Sequence, residues 1–383
     1  MPREVFLIAG EPSGDRLGAA LMAGLSELAA EEGRPAPRYD GIGGPEMAGQ
    51  GLASRFPMAE LSVMGLAEVL PKYRQLKRRI AETADAVLAA KPEVLITIDS
   101  PDFCLRVAKR VKRAAPSQRI VHYVAPSVWA WRPDRAAKMA PLVDQVLALL
   151  PFEPPYMEAA GVPCDFVGHP VAAEPLATPD EIAAFRAAHG LGDSPILVVL
   201  PGSRQGEIAR LAPRFGAALH RLNRPDFRVV VPTLPHLAPR LTQEAEGWPG
   251  APLVLSLDGP EKRAAFAAGT AALAASGTVS LELAAAGTPM AIAYDMAPLT
   301  RMIVSRMLRT DTVTLVNLVS ESRAVPEAIG RDCTPDRIAA LLAAVLADPS
   351  AQRAAMALTM ERLGQGQEAP GRRAARAVLK GLC

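Results

Sequence analysis

Two acids in this chain stand where general-base chemistry could be done. Glu11 lies in Gly10-Glu11-Pro12-Ser13-Gly14-Asp15, directly after the apolar run 5–9, and Asp99 lies in Asp99-Ser100-Pro101-Asp102-Phe103, directly after the run 94–98. In an open α/β sheet the ligand crevice lies beyond the carboxyl ends of the strands. Partial burial there raises a carboxyl pKa toward the range useful to a base. Asp99 is the candidate base, and Asp102 fits better as a helix cap. Glu11 is either a second carboxylate of the site or part of a plain turn in which Ser13 or Asp15 caps the next helix.

Two further turns suit an anion. Pro201-Gly202-Ser203-Arg204-Gln205-Gly206-Glu207 follows the run 196–200, and Ala275-Ser276-Gly277-Thr278-Val279-Ser280-Leu281-Glu282 follows 271–274. A glycine-rich turn opening a helix presents backbone N–H groups to phosphate. Arg204 adds a fork suited to phosphate oxygens. No Lys follows the glycine, so this is not a P-loop, and neither 10–15 nor 41–46 fits the dinucleotide pattern, Glu46 standing where a third glycine should be. The amides of Gly277, Thr278 and Val279 suit a diphosphate. Glu282, one turn further, could accept both ribose hydroxyls, or it could simply close a capping box.

Two segments suggest surfaces. His122-Tyr123-Val124-Ala125-Pro126-Ser127-Val128-Trp129-Ala130-Trp131-Arg132 holds two of the three tryptophans. His122 reads as a buried, hydrogen-bonded residue, and Trp129 and Trp131 as a packed lip or an acyl-chain surface. Arg132, Arg135 and Lys138 recur every third residue, as on a solvated helix face. In 61–80, Val63, Met64, Leu66 and Val69 precede Lys72, Arg74, Lys77, Arg78 and Arg79, with no acid between 72 and 79. Apolar beside basic suits an anionic membrane surface, although an ordinary amphipathic helix has the same pattern.

The elements that must position these residues follow from alternation. Short apolar runs at 5–9, 94–98, 120–124 and 145–149 alternate with alanine-rich helical stretches. After Pro170 the pattern restarts, with runs at 196–200, 228–231, 271–274 and 290–293. Such alternation predicts parallel sheets covered by helices. The proline- and glycine-broken stretch 167–175 reads as a linker. The expected fold is α/β, two Rossmann-like doubly wound domains facing a cleft, with limits 1–170 and 171–349. Helices in about 350–383 are expected to pack back on the first domain.

Composition excludes several classes. Of 383 residues, 50% are hydrophobic and 21% charged, too apolar for a disordered chain. Net charge is 42 − 40 = +2, which gives no basic excess for nucleic acid, and 4% aromatic content disfavours a stacking platform. The four cysteines are scattered without a CxxC pair, which argues against a zinc site or a disulfide framework. The uncharged stretch 264–281 contains Gly, Ser and Thr and reads as strand and loop rather than a membrane span. The N-terminal apolar run is too short for a signal peptide. A soluble chain of a reducing compartment is expected.

Taken in order, GEPSGD, SVMG, DSPDF, HYVAPSVWAWR, LPFEPPY, VGHP, LPGSRQGE and ASGTVSLE resemble the lipid-A-disaccharide synthase family across residues 5 to about 325. The resemblance implies a GT-B glycosyltransferase. It implies transfer of 2,3-diacylglucosamine from its UDP derivative to 2,3-diacylglucosamine 1-phosphate, giving the β-1,6 disaccharide 1-phosphate and UDP. Asp99 then matches the base and Glu11 a second catalytic carboxylate. Gly202, Ser203, Arg204, Ser276, Gly277 and Thr278 match the UDP-phosphate side, Glu282 the ribose, and Asn317 a position lining the cleft. Val63, Met64, Leu66, Val69, Lys72, Arg74, Lys77, Arg78, Trp129 and Trp131 become the membrane and acyl contacts. The implied site is cytoplasmic, on the inner face of the inner membrane, with an anionic lipid surface as partner and a homodimer allowed. No cofactor or metal is expected, since no DxD occurs and leaving UDP can be stabilised by dipoles and Arg204. Pro12 stands where many members carry Thr. The rival reading is another UDP-sugar enzyme of this fold, such as a UDP-N-acetylglucosamine 2-epimerase.

Overall fold

The computed structural model describes residues 1–61, 66–131, 134–296 and 310–382, without the side chains of 66–72, 130 and 131. The chain divides into two units, Met1–Ala173 with Gly366–Cys383, and Glu174–Gln365.

The first unit holds a sheet of β1 (Glu4–Ala9), β2 (Arg38–Ile42), β3 (Ala53–Ser54), β4 (Val94–Ile98), β5 (Ile120–Tyr123), β6 (Gln145–Ala148) and β7 (Cys164–Phe166). Their order is β3-β2-β1-β4-β5-β6-β7, and every pairing is parallel. The central strands are largely apolar because helices cover both faces. Every residue of β4, β5 and β6 is buried. The strand order reverses between β1 and β4, where Ala9 pairs with Ile98. That reversal is the switch point at which a doubly wound sheet opens a crevice.

The second unit repeats the scheme. Its strands are β8 (Ile196–Leu200), β9 (Arg228–Thr233), β10 (Leu253–Ser256), β11 (Ala271–Ala274), β12 (Met290–Tyr294) and β13 (Glu327–Ile329), in the order β10-β9-β8-β11-β12-β13, all parallel. Here the order reverses between β8 and β11, where Ala274 pairs with Leu200.

The C-terminal helices part company. Pro370–Lys380 lies on Pro12–Glu31 and buries Ala374, Ala375 and Val378 in the first unit's core. Arg372 fastens the pair through ion pairs to Glu27, Glu31 and Glu368. Ser350–Arg362 stays with the second unit. It packs on Val279–Ala285 and Leu315–Ser320, and the Gln352 side chain bonds the Met290 backbone at the start of β12. The expected limit at 349 thus falls one helix short, because Gln352 and Arg362 are committed to second-unit backbone. The uncharged stretch 264–281 is the end of helix Gly259–Ala267, β11, and the turn into Val279–Ala285. Among the described residues no helix is long and apolar enough to cross a membrane.

Candidate functional site

At the first switch point, Glu11 follows β1 and Asp99 follows β4, so adjacent strands deliver both carboxylates to one edge of the sheet. Gly10 makes the approach possible. A Cβ there would lie 2.4 Å from Ser100 Oγ, so no side chain fits between the two turns. Asp99 and Ser100 both adopt the left-handed region, with φ +51 and +42, and Val124 at the end of β5 has φ +84. Such backbone costs energy and clusters at functional sites. The Asp99 N–H donates to Tyr123 O at 2.9 Å, which ties the strained turn to the next strand. Burial pushes the Asp99 carboxyl above its ordinary value, and a backbone hydrogen bond from Ser100 opposes part of that rise. A half-buried carboxylate with raised proton affinity is suited to take a proton from a hydroxyl.

Nearby acids have other work. Asp102 is exposed in the first turn of Pro101–Ala114. The N-cap is Ser100, and no side chain caps that end, so the expected Asp102 cap does not form. Asp15 caps a different helix from the one it sits in. Buried, its carboxylate accepts the N–H groups of Gly44 (2.8 Å), Glu46 (3.0 Å) and Met47 (3.1 Å), at the start of Pro45–Gly49. His122 is buried, its Nδ1 2.8 Å from the Thr97 hydroxyl, and burial lowers its pKa to about 4, so the ring is neutral.

At the second switch point, Gly202, Ser203 and Arg204 follow β8, and Ser276, Gly277 and Thr278 follow β11. Arg204 is the N-cap of Gln205–Leu222 and extends a side chain that is 60% exposed. Glu207 organises this turn. Its Oε2 accepts the Ser203 N–H at 3.0 Å, while its Oε1 accepts the Tyr294 hydroxyl at 3.2 Å and sits 3.5 Å from Arg204 Nη1. Gly202 has φ +119, and a Cβ there would lie 2.6 Å from Glu207 Cβ. The turn is folded around a carboxylate, and one amide expected to face a phosphate instead donates to Glu207.

Ser276 Oγ donates to Val313 O at 3.4 Å, joining the β11 turn to the segment before Leu315–Ser320. Glu282 closes no capping box, since the N-cap Thr278 makes no side-chain cap; its carboxylate pairs with Lys262. Asn317 was expected to line the ligand side. It is fully buried instead, donating Nδ2 to Thr312 Oγ1 (3.2 Å) and Val325 O (2.9 Å) and accepting the Val325 N–H at 2.9 Å. Its amide is consumed in pinning the 312–325 loop, so its geometry is that of a support.

Trp129 stacks edge-on against Phe152, centroids 5.2 Å apart, and its Nε1 donates to Glu153 at 3.4 Å. Glu153 is buried and also accepts the Leu150 N–H at 3.0 Å; burial raises its pKa to about 7. Trp129 is thus packed and hydrogen-bonded within its own unit. On Leu66–Ala90, Tyr73, Arg74, Lys77 and Arg78 are exposed, while Arg79 turns inward to Glu60. Val63, Met64 and Arg132 lie outside the described residues, as do the side chains of Leu66, Val69, Lys72 and Trp131.

Glu207, Tyr294, Lys262 and Glu153 are absent from the sequence-derived site. Glu207 and Glu153 stand inside the quoted motifs, so their signal was present. Lys262 and Tyr294 reach the site only through the sheet order, which no local pattern encodes.

Comparison with known proteins settles the kinship. The family model described as lipid-A-disaccharide synthetase matches residues 5–380. A lipid-A-disaccharide synthase of Ruegeria pomeroyi is 65% identical over 99% of this chain and 95% of its own length. The Staphylococcus aureus MnaA–UDP structure superposes with TM-score 0.65 at 13% identity, covering 100% of this chain and 98% of that one. A UDP-N-acetylglucosamine 2-epimerase from Neisseria meningitidis, bound to UDP-N-acetylglucosamine, gives TM-score 0.61 at 13% identity, covering 99% and 98%. These two likenesses carry the fold, an α/β architecture of GT-B type. The sequence match over nearly the whole chain carries more: this chain belongs to the lipid-A-disaccharide synthase family.

Proposed function

We infer that this chain joins UDP-2,3-diacylglucosamine to 2,3-diacylglucosamine 1-phosphate, forming the β-1,6 disaccharide 1-phosphate and releasing UDP. The observation that carries this reading is the family match over residues 5–380, together with 65% identity to a lipid-A-disaccharide synthase. The chemistry of the two switch points supports it. Asp99 takes the proton of the acceptor 6-hydroxyl while that oxygen bonds to the donor's anomeric carbon. The bond from that carbon to the UDP oxygen breaks, and UDP leaves as an anion with inversion at the carbon. Arg204 and the turns at 202–204 and 276–278 receive the developing negative charge. Glu282 holds the ribose, and Asn317 acts from behind by fixing the loop against Ser276. Glu11 is the second carboxylate of the acceptor side. The epimerase alternative shares the fold, but solved structures described as UDP-N-acetylglucosamine 2-epimerases resemble this chain at only 13% identity.

Both substrates carry acyl chains, so we place the chain peripherally on the cytoplasmic face of the inner membrane. Residues 63–69, the exposed Arg74, Lys77 and Arg78, and the Trp129–Trp131 lip would meet lipid. One basic residue beside an anionic surface contributes about 1 kcal/mol, enough only for reversible binding. A homodimer is compatible with this placement.

One assay tests the reading. UDP release should require both lipid substrates, presented in anionic vesicles, and should fall when Val63, Met64 and Leu66 are replaced by Ser, together with vesicle sedimentation. UDP release from donor alone would contradict the transfer reading. Sedimentation equal to wild type would remove residues 63–66 from the membrane contact.

A further inference from the structure

The second unit holds a cation that the donor-side reading does not use. Lys262 sits in the first turn of Gly259–Ala267, the helix that feeds into β11. Its ammonium pairs with Glu282 Oε2 and lies 5.4 Å from the centroid of the Phe266 ring. The pair is neither buried nor fully solvated, with side chains 35% and 31% exposed. Among the described residues, Glu282 Oε1 takes no hydrogen bond.

We propose that Lys262 is a positioning residue for nucleotide recognition: it holds the Glu282 carboxylate in one orientation, so that Oε1 can accept the ribose hydroxyls. This rests on the reading of the turn 276–282 as the nucleotide subsite. The physical case has two parts. Two ribose hydroxyls both donate, so the partner must supply acceptors, as a carboxylate does. A glutamate on an open helix face also samples several rotamers. Tethering Oε2 to a lysine that is itself held over an aromatic face removes that freedom before the ligand arrives, which is how preorganisation raises affinity. Lys262 thereby favours ribose over a sugar lacking those hydroxyls without touching the nucleotide.

The test uses UDP and 2′,3′-dideoxy-UDP as calorimetric probes on the full chain. Lys262→Met should weaken UDP binding about tenfold, the range expected when a charge-assisted hydrogen bond is lost. Affinity for the dideoxy probe should stay within about twofold, because Glu282 has nothing to hold there. Lys262→Arg should restore most of the UDP affinity. An equal loss for both probes would overturn the proposal by making Lys262 a phosphate ligand or a fold element; unfolding midpoints of the same variants separate those two. No loss for either probe would also overturn it. If wild type itself binds both probes equally, the nucleotide-subsite reading fails, and that result is distinguishable from failure of the lysine's role.

Discussion

The two units carry the same sheet order at their centres and opposite chemistry at their switch points. After β1 and β4 the first unit presents Glu11 and Asp99; after β8 and β11 the second presents Arg204 and two small polar turns. The topology positions both pairs in the same way, and only the turn residues differ. The first edge is strained, with Asp99, Ser100 and Val124 all at positive φ, and it carries two carboxyls of raised proton affinity, Asp99 and Glu153. The second edge is held by charge pairs, Arg204 with Glu207 and Lys262 with Glu282. Strain and burial suit a group that must take a proton. An exposed, paired cation such as Arg204 suits a group that must exchange partners with an incoming anion, while the Lys262–Glu282 pair suits one that must hold still. The fold supplies the place, and the turn supplies the function.

The largest effect should come from the first edge. Asp99→Asn should lower kcat by about 10²–10⁴-fold, the usual contribution of a general base. Asn tolerates positive φ well, so the turn should keep its shape. Because burial raises the Asp99 pKa, the folded state holds that proton more tightly than the unfolded one. Stability from this group is present at low pH and lost as pH rises, so the Asn variant should be at least as stable as wild type at neutral pH. Wild-type activity should lose its acidic limb as pH falls through the raised Asp99 value, above the ordinary 3.8. Near-normal turnover in Asp99→Asn would move the base to Glu11 and break the comparison.

A smaller effect concerns Glu153, whose pKa rises from 4.5 to about 7 on burial. Below 4.5 both states are protonated and the stabilising contribution is complete; it is lost as pH rises toward 7. The span corresponds to at most about 3 kcal/mol. Urea midpoints measured from pH 4 to 8 should decline in wild type, roughly across that window, and Glu153→Gln should flatten the decline. An unchanged slope in the Gln variant would assign the pH dependence to other groups.

Much of this was legible in the chain because parallel strands buried on both faces are written as continuous apolar runs. β1, β4, β5, β6, β8, β9, β11 and β12 read that way, and the acid or glycine turns after β1, β4, β8 and β11 could then be read as facing the crevice edge. β2 was missed because Arg38-Tyr39-Asp40-Gly41 carries charge where a run would be apolar; only Gly41 and Ile42 are buried. β3 and β7 have two and three residues, too few for any period, and β10 is only half-buried. At the site, strand-end logic proposed Glu11, Asp99 and Arg204, each of which lies in the turn after a parallel strand. Asn317, which the family resemblance placed on the cleft, is buried on partners at Thr312 and Val325 that spacing does not reveal. Asp102 is not the expected cap, because Ser100 in a left-handed conformation took the cap position.

The division of labour between the two edges is tested most directly by titrating UDP calorimetrically into Asp99→Asn and Arg204→Ala. The account predicts wild-type UDP affinity in Asp99→Asn and a loss of about tenfold or more in Arg204→Ala, the scale of a charged hydrogen bond. Weakened UDP binding in Asp99→Asn with none in Arg204→Ala would contradict it, and would place the nucleotide on the first unit.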